Sequence, residues 1–168
     1  MTPAVVLLAL VTLGRLGELW LARRNTAALM AGGAVEVAPG HYPLIVALHA
    51  LWLAALWGFG HAQAVQPFWL AVFLLLQVAR IWVLGTLGRR WTTRVITVPD
   101  EVLVSRGPFR YLRHPNYAVV IGEIAVLPLC LGLPWVALVF SLANLLVLTI
   151  RITAENAGLT EARSHGSI

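Results

Sequence analysis

The stretch "RGPFRYLRHPNYAVVIGEIAVLPL" (residues 106–129) opens with Arg106, Arg110, Arg113 and His114, turns at Pro115, and then runs apolar apart from Asn116 at its start and Glu123 inside it. Proline suits the first position of a helix, where its φ is already helical and its missing N–H costs no intrahelical bond. The stretch therefore predicts a basic turn feeding an apolar helix. A carboxylate within such a helix is costly unless it faces a cavity, a partner or a cation. Glu123 thus requires a neighbour that the local sequence does not supply.

The remaining chain sets the solvent. Of 168 residues, 60% are apolar and 11% charged, with a mean hydropathy of +0.83, far from the soluble average. Five stretches, 3–22, 43–60, 67–87, 116–130 and 133–150, are close to the length that crosses a hydrocarbon core. The expected fold is an all-α integral membrane protein of five transmembrane helices in a single membrane domain, 1–168. The first stretch carries Arg15 and Glu18 and lacks a cleavage pattern, so it reads as a retained helix. One cysteine, Cys130, and no Cys/His cluster with metal spacing exclude an internal disulfide and give no metal site.

Charge placement sets the orientation. Arg23 and Arg24 follow the first stretch, six arginines from Arg89 to Arg113 lie between the third and fourth, and Arg151 and Arg163 follow the fifth. The connections "GHAQAVQ" (60–66) and "LGLP" (131–134) carry no charge. By the positive-inside rule the N-terminus is outside, the C-terminus cytoplasmic, and the protein sits in the inner or plasma membrane with its basic loops facing the cytoplasm. This accounts for the basic residues without a nucleic-acid partner, whose aromatic and basic modules are missing. The loop 23–43 reads as a Gly/Ala-rich connection with one helical turn at most. The loop 88–113 contains "RVITV" and "EVLV" as short extended pieces around Pro99-Asp100, and its length argues for a function.

Counting depth along each helix at 1.5 Å per residue brings separate polar residues to one level. Arg15 and Glu18, His49, Arg80, Glu123 and Asn144 all lie roughly 8–14 Å from the basic end of their helices. A polar chamber built from all five helices is the expectation. Arg15 and Glu18, three apart, can satisfy each other. His49 and Asn144 have a packing reading beside an acceptor-binding one. Glu123 stands either as a general base on the Asn116 face or as an ion-pair partner of Arg80. Past the fifth stretch, Arg151 and Glu155 share a helical face at i and i+4.

From "LVSRGPFRYLRHPNY" to "RITAENAGL", residues 85–160, the chain resembles the isoprenylcysteine carboxyl methyltransferase family, whose G-P-[YF]-x-x-x-R-H-P-x-Y turn precedes two helices and an R-x-x-x-E-E pair. The resemblance implies S-adenosylmethionine as cofactor, S-adenosylhomocysteine as product, and a lipophilic acceptor entering from membrane lipids. It places Arg113, His114, Pro115 and Tyr117 in the cofactor turn carried by the C-terminal helical hairpin, and Arg151 and Glu155 in the polar pair. Arg110 and Asn116 join Arg113, His114, Tyr117 and Glu155 as cofactor-binding candidates because a guanidinium and an amide suit the cofactor's carboxylate and polar edges. Arg151, Glu155 and Glu123 are then the catalytic candidates, and Arg80, His49 and Asn144 the acceptor-binding ones. Residues 85–160 would form the methyltransferase core and 1–84 the acceptor side.

Two departures from the pattern stand out. Asn156 replaces the second acidic residue, and no aromatic segment follows before Ile168. With His41-Tyr42 in the first loop, the chain looks more like the bacterial branch found beside type III polyketide synthases, which O-methylates long-chain alkylpyrones or alkylresorcinols. Carboxyl methylation of an isoprenylcysteine-like substrate is the alternative. A non-enzymatic transporter, for which Arg80, Glu123 and His49 would be pathway residues, and an assembly protein are the other classes. No G-x-G-x-G follows a strand, so the soluble methyltransferase site is excluded.

Overall fold

The computed structural model describes residues 2–37, 40, 42–98 and 104–164, with the side chains of 154–164 excepted. Five α-helices account for nearly all of them: α1 Pro3–Ala31, α2 Tyr42–Gly60, α3 Pro67–Leu87, α4 Pro115–Cys130 and α5 Pro134–Ser164. Proline opens α1, α3 and α4 at their first turns. Thr2 caps α1 through its hydroxyl, which accepts the Val5 N–H at 3.3 Å and donates to the His61 carbonyl at 2.9 Å. That second bond ties the start of α1 to the end of α2. At the same end, the Gln66 N–H reaches the Cys130 carbonyl at 2.8 Å, joining the two uncharged connections.

The long loops meet at the opposite end. Val35–Glu36 (β1) and Ile96–Thr97 (β2) form an antiparallel pair, Val35 opposite Thr97 and Glu36 opposite Ile96. Of the two expected extended pieces, "RVITV" is one; "EVLV" falls largely outside the described residues, as do His41 and Pro99-Asp100. The partner of β2 is the first loop, a pairing no local pattern announces. Asn25, buried on α1, locks the same end by donating to the carbonyls of Gly88 at 3.2 Å and Trp91 at 2.9 Å.

Helix lengths correct two expectations. α1 runs on to Ala31, so residues 23–31 are helix rather than connection, and its 29 residues reach about 43 Å, beyond a hydrocarbon core. α5 likewise continues through Ser164, placing Arg151 and Glu155 on the spanning helix itself. Four helices, α1, α2, α3 and α5, are long and apolar enough to cross a membrane. α4 has only 16 residues, about 24 Å, and is the most buried of the five, packed between α3 and α5. A helix surrounded by protein need not match the bilayer's thickness.

Packing rather than water exclusion holds such helices together, which favours close backbone approach. Gly122 allows it between α4 and α3: a Cβ there would lie 2.9 Å from a methyl of Leu76. The main core gathers Leu8, Leu48, Trp52, Leu56, Phe73, Ile124, Leu127 and Val136 towards the uncharged end. A smaller cluster of Ala22, Val83 and Trp91 closes the basic end.

Candidate active site

At mid-depth the expected polar level is real, and most of its charge is consumed internally. Glu123 is 1% exposed. Its Oε2 accepts from Arg80 Nη1 at 2.7 Å and Arg15 Nη2 at 2.8 Å, while Oε1 accepts from Gln77 Nε2 at 2.7 Å. Glu18 receives the other edge of Arg80, through Nε and Nη2, and Arg15 Nη1 at 3.0 Å. Two arginines and two carboxylates from α1, α3 and α4 thus form a neutral, closed cluster. Arg15 and Glu18 pair as their spacing suggests, but the pair is one side of a four-residue network. Gln77 completes it, three residues before Arg80 and so on the same face of α3.

Above the cluster lies a chamber of about 280 Å3, at the lower end for a small-molecule site. All five helices line it, with Arg15 and Glu18 from α1, His49 and Trp52 from α2, Arg80 from α3, Asn116 and Tyr117 from α4, and Asn144 and Arg151 from α5. Trp91, Thr92 and Thr93 of the second loop supply one wall. Leu16 and Val46, also lining residues, are more than 40% exposed, so the chamber reaches the membrane-facing surface between α1 and α2.

Glu123 does not line this space. Between it and the chamber stand the Arg15 and Arg80 guanidiniums, which do line that space and bind the Glu123 carboxylate. Both carboxylate oxygens are engaged, Oε2 by Arg15 and Arg80 and Oε1 by Gln77, and neither is turned to the chamber. The ion-pair reading is the one the geometry supports.

His49 stands in the opposite situation. Its Nδ1 contacts the Ile45 carbonyl at 2.9 Å, which makes Nδ1 the protonated nitrogen and leaves Nε2 an acceptor. The ring meets Trp52 edge-on at 6.4 Å. Asn144 is 5% exposed and lines the same chamber.

At the mouth the motif residues form a stack instead of a ring of ligands. His114 precedes α4 and offers its carbonyl to the N–H groups of Tyr117 at 3.1 Å and Ala118 at 3.3 Å. Its ring lies on Tyr117 at 5.0 Å and 11°, and the Arg151 guanidinium sits 5.3 Å from the Tyr117 ring centre. His114 therefore supports Tyr117, and Tyr117 holds Arg151. Arg110, Arg113 and His114 are exposed and do not line the chamber. They precede Pro115, so the turn carries them outward while α4 aims Asn116, Tyr117 and Val120 inward. Gly107 makes that turn possible: its φ is +60°, and a Cβ would lie 2.6 Å from the Thr86 hydroxyl. Glu155 lies one turn past Arg151 on α5, and its side chain is outside the described residues.

Four buried polar atoms have no hydrogen-bond partner among the described residues: Asn116 Oδ1, Arg151 Nε, Trp52 Nε1 and Trp91 Nε1. All four belong to chamber-lining residues. The two tryptophans escaped sequence reasoning. Trp52 reads as one more apolar residue of α2, and Trp91 acquires its place only through Asn25 and the Arg80 guanidinium, 5.9 Å from its ring. Outside the membrane segments, the hydrogen bond to Glu36 raises the pKa of Arg94 above its already high ordinary value.

A sequence model of the isoprenylcysteine carboxyl methyltransferase family matches residues 69–161, which include the mouth stack and α3 to α5. The chain belongs to the isoprenylcysteine carboxyl methyltransferase family. It is 37% identical over 161 residues to the uncharacterized protein YpbQ of Bacillus subtilis, covering 93% of this chain and 96% of that one. It is 26% identical over 152 residues to an uncharacterized protein of Haemophilus influenzae, covering 87% and 88%. No solved structure matches. Family membership and four spanning helices make this an integral membrane protein of a methyltransferase family.

Proposed function

We propose that the chamber binds S-adenosylmethionine at its Asn116–Tyr117–Arg151 end and a lipophilic acceptor at its His49 end, and that the protein O-methylates a long-chain phenol or enol of the alkylpyrone or alkylresorcinol type. The observation that carries this reading is the chamber itself: one space lined by every helix, with the Arg151–Tyr117 stack at its mouth and an outlet to lipid beside Leu16 and Val46.

The residues present fit the cofactor. Arg151 offers a guanidinium whose Nε has no partner among the described residues, suited to a carboxylate. Asn116 Oδ1 offers a buried acceptor for an amine or amide hydrogen. Glu155, one turn further along α5, shares the helical face of Arg151 by its i+4 spacing. When bound, the cofactor supplies an electrophilic methyl group on a sulfonium.

The chain's own contribution is positioning. Holding two reactants at near-attack distance removes much of the entropic barrier to such a transfer, and the closed charge cluster beneath gives the chamber a rigid floor. His49 Nε2 takes the hydroxyl proton of the acceptor, the role that Glu123 is not free to fill. Arg80 and Asn144 face the same space and orient the acceptor's polar head.

A carboxylate acceptor arrives ionised and needs no such base, so the nature of the acceptor is open to a direct test. Incubating the purified protein with isotope-labelled S-adenosylmethionine and a mixture of alkylpyrones, alkylresorcinols and prenylcysteines, followed by mass spectrometry, should put the label on the hydroxylated lipids. Label on the prenylcysteine alone would replace this acceptor with the carboxylate one.

A further inference from the structure

A second cavity lies outside the chamber, against the last turns of α1. It measures about 300 Å3 and is lined by Arg23, Thr26, Ala27, Tyr42, Thr93 and Arg94. Arg23, Thr26 and Ala27 share one face of α1, being three and four residues apart. Arg94 is set in place from two sides: its Nη1 donates to Glu36 at 2.7 Å, and its guanidinium lies 4.8 Å from the Tyr42 ring centre. Thr93 and Tyr42 join through their hydroxyls at 3.3 Å. Arg23 is exposed and has no ion-pair partner among the described residues. Among the described residues the cavity thus presents two guanidiniums and three hydroxyls, with the Glu36 carboxylate on Arg94.

Its depth is equally specific. Because α1 is about 43 Å long, its final turns emerge from the hydrocarbon into the headgroup layer. Arg24, beside the cavity, lies 5.8 Å from the ring centre of Trp20, an aromatic residue at the level where membrane interfaces collect them. Among the described residues two cations less one carboxylate leave one net positive charge, which matches a singly charged phosphodiester. Guanidinium binds such a group through paired N–H donors, and basic pockets between helices at this depth take anionic headgroups.

We propose that this cavity binds the phosphate of an anionic lipid from the leaflet it faces. The inference stands apart from the methyl-transfer reading, since it uses neither the mouth stack nor His49. It does connect to the chamber, because Tyr42 and Thr93 line both spaces. A lipid bound here would steady the loop that carries Trp91.

The test is native mass spectrometry of the full chain in detergent, titrated separately with phosphatidylglycerol, phosphatidylcholine and inorganic phosphate. The wild type should retain phosphatidylglycerol in preference to phosphatidylcholine. Arg23→Gln should weaken that retention about fivefold, whereas Arg24→Gln, which removes the same charge beside the cavity, should leave it unchanged. Both positions are exposed, and a thermal melt confirms that both variants fold. Equal retention by the wild type and Arg23→Gln, or equal losses in the two variants, would overturn the site. Binding of inorganic phosphate that depends on Arg23, with no lipid preference, would overturn the lipid assignment in favour of a soluble phosphate.

Discussion

The charge cluster and the chamber mouth are built from similar residues and treat them in opposite ways. In the cluster, Arg15, Glu18, Arg80 and Glu123 satisfy one another across three helices, with Gln77 taking the remaining carboxylate oxygen. At the mouth, Asn116 Oδ1 and Arg151 Nε are buried without partners among the described residues, and the Arg151 guanidinium lies against the Tyr117 ring. A closed network of ionised groups is scaffold: it fixes helix register and ties up its carboxylates. Buried polar atoms with unused valence are where a ligand's polar groups fit. The lesson is that an ionisable residue inside a membrane helix marks a site only after its partners are counted.

Breaking the cluster should have the largest effect. Arg80→Ala leaves buried Glu123 and half-buried Glu18 to share Arg15, and removing one partner of a buried pair costs about 3–5 kcal/mol. Thermal melting in detergent should show a large drop, and an unchanged melt would mean that the cluster is not scaffold. At the mouth, Arg151→Ala should weaken S-adenosylmethionine binding by about 1.5–3 kcal/mol, the worth of hydrogen bonds to a charged group. The melt should stay near that of the wild type; a stability loss equal to that of Arg80→Ala would erase the distinction between the two regions.

Gly107→Ala tests the turn that presents the mouth. A side chain forced into a left-handed conformation costs about 1–2 kcal/mol, and the new Cβ also meets Thr86. Both the melt and cofactor affinity should fall modestly; wild-type values in both would show that the turn tolerates a Cβ. The smallest effect belongs to Glu36→Gln. Its partner Arg94 has a side chain 41% exposed, and pairs of that kind contribute at most about 1 kcal/mol, so the melt should barely move.

Much of this was legible in the sequence because helices convert spacing into position. Depth counting placed Arg15, Glu18, His49, Arg80, Glu123 and Asn144 at one level, and the chamber and cluster do lie there. Pro115 at the first turn of α4 follows from its fixed φ. Rotation was less legible than depth. Glu123 is about two turns past Asn116 on nearly the same face, yet Arg15 and Arg80 intervene, and a single helix does not reveal what a neighbouring helix interposes. The motif residues Arg110, Arg113 and His114 belong to a turn, whose outward course depends on Gly107 and Thr86 rather than on a period. Trp91 owes its place in the wall to a hydrogen bond from Asn25, 66 residues away in sequence. The β1–β2 pair joins two loops whose separate patterns contain no register.

The central claim is that the mouth binds the cofactor while the cluster only supports it. Calorimetric titration of S-adenosylmethionine into the folded wild type and into folded Glu123→Gln tests it most directly. The wild type should bind saturably, and the variant, whose mouth is intact, should bind with the same affinity. No binding by the folded wild type, or its abolition by Glu123→Gln in a protein that still melts cooperatively, would contradict it.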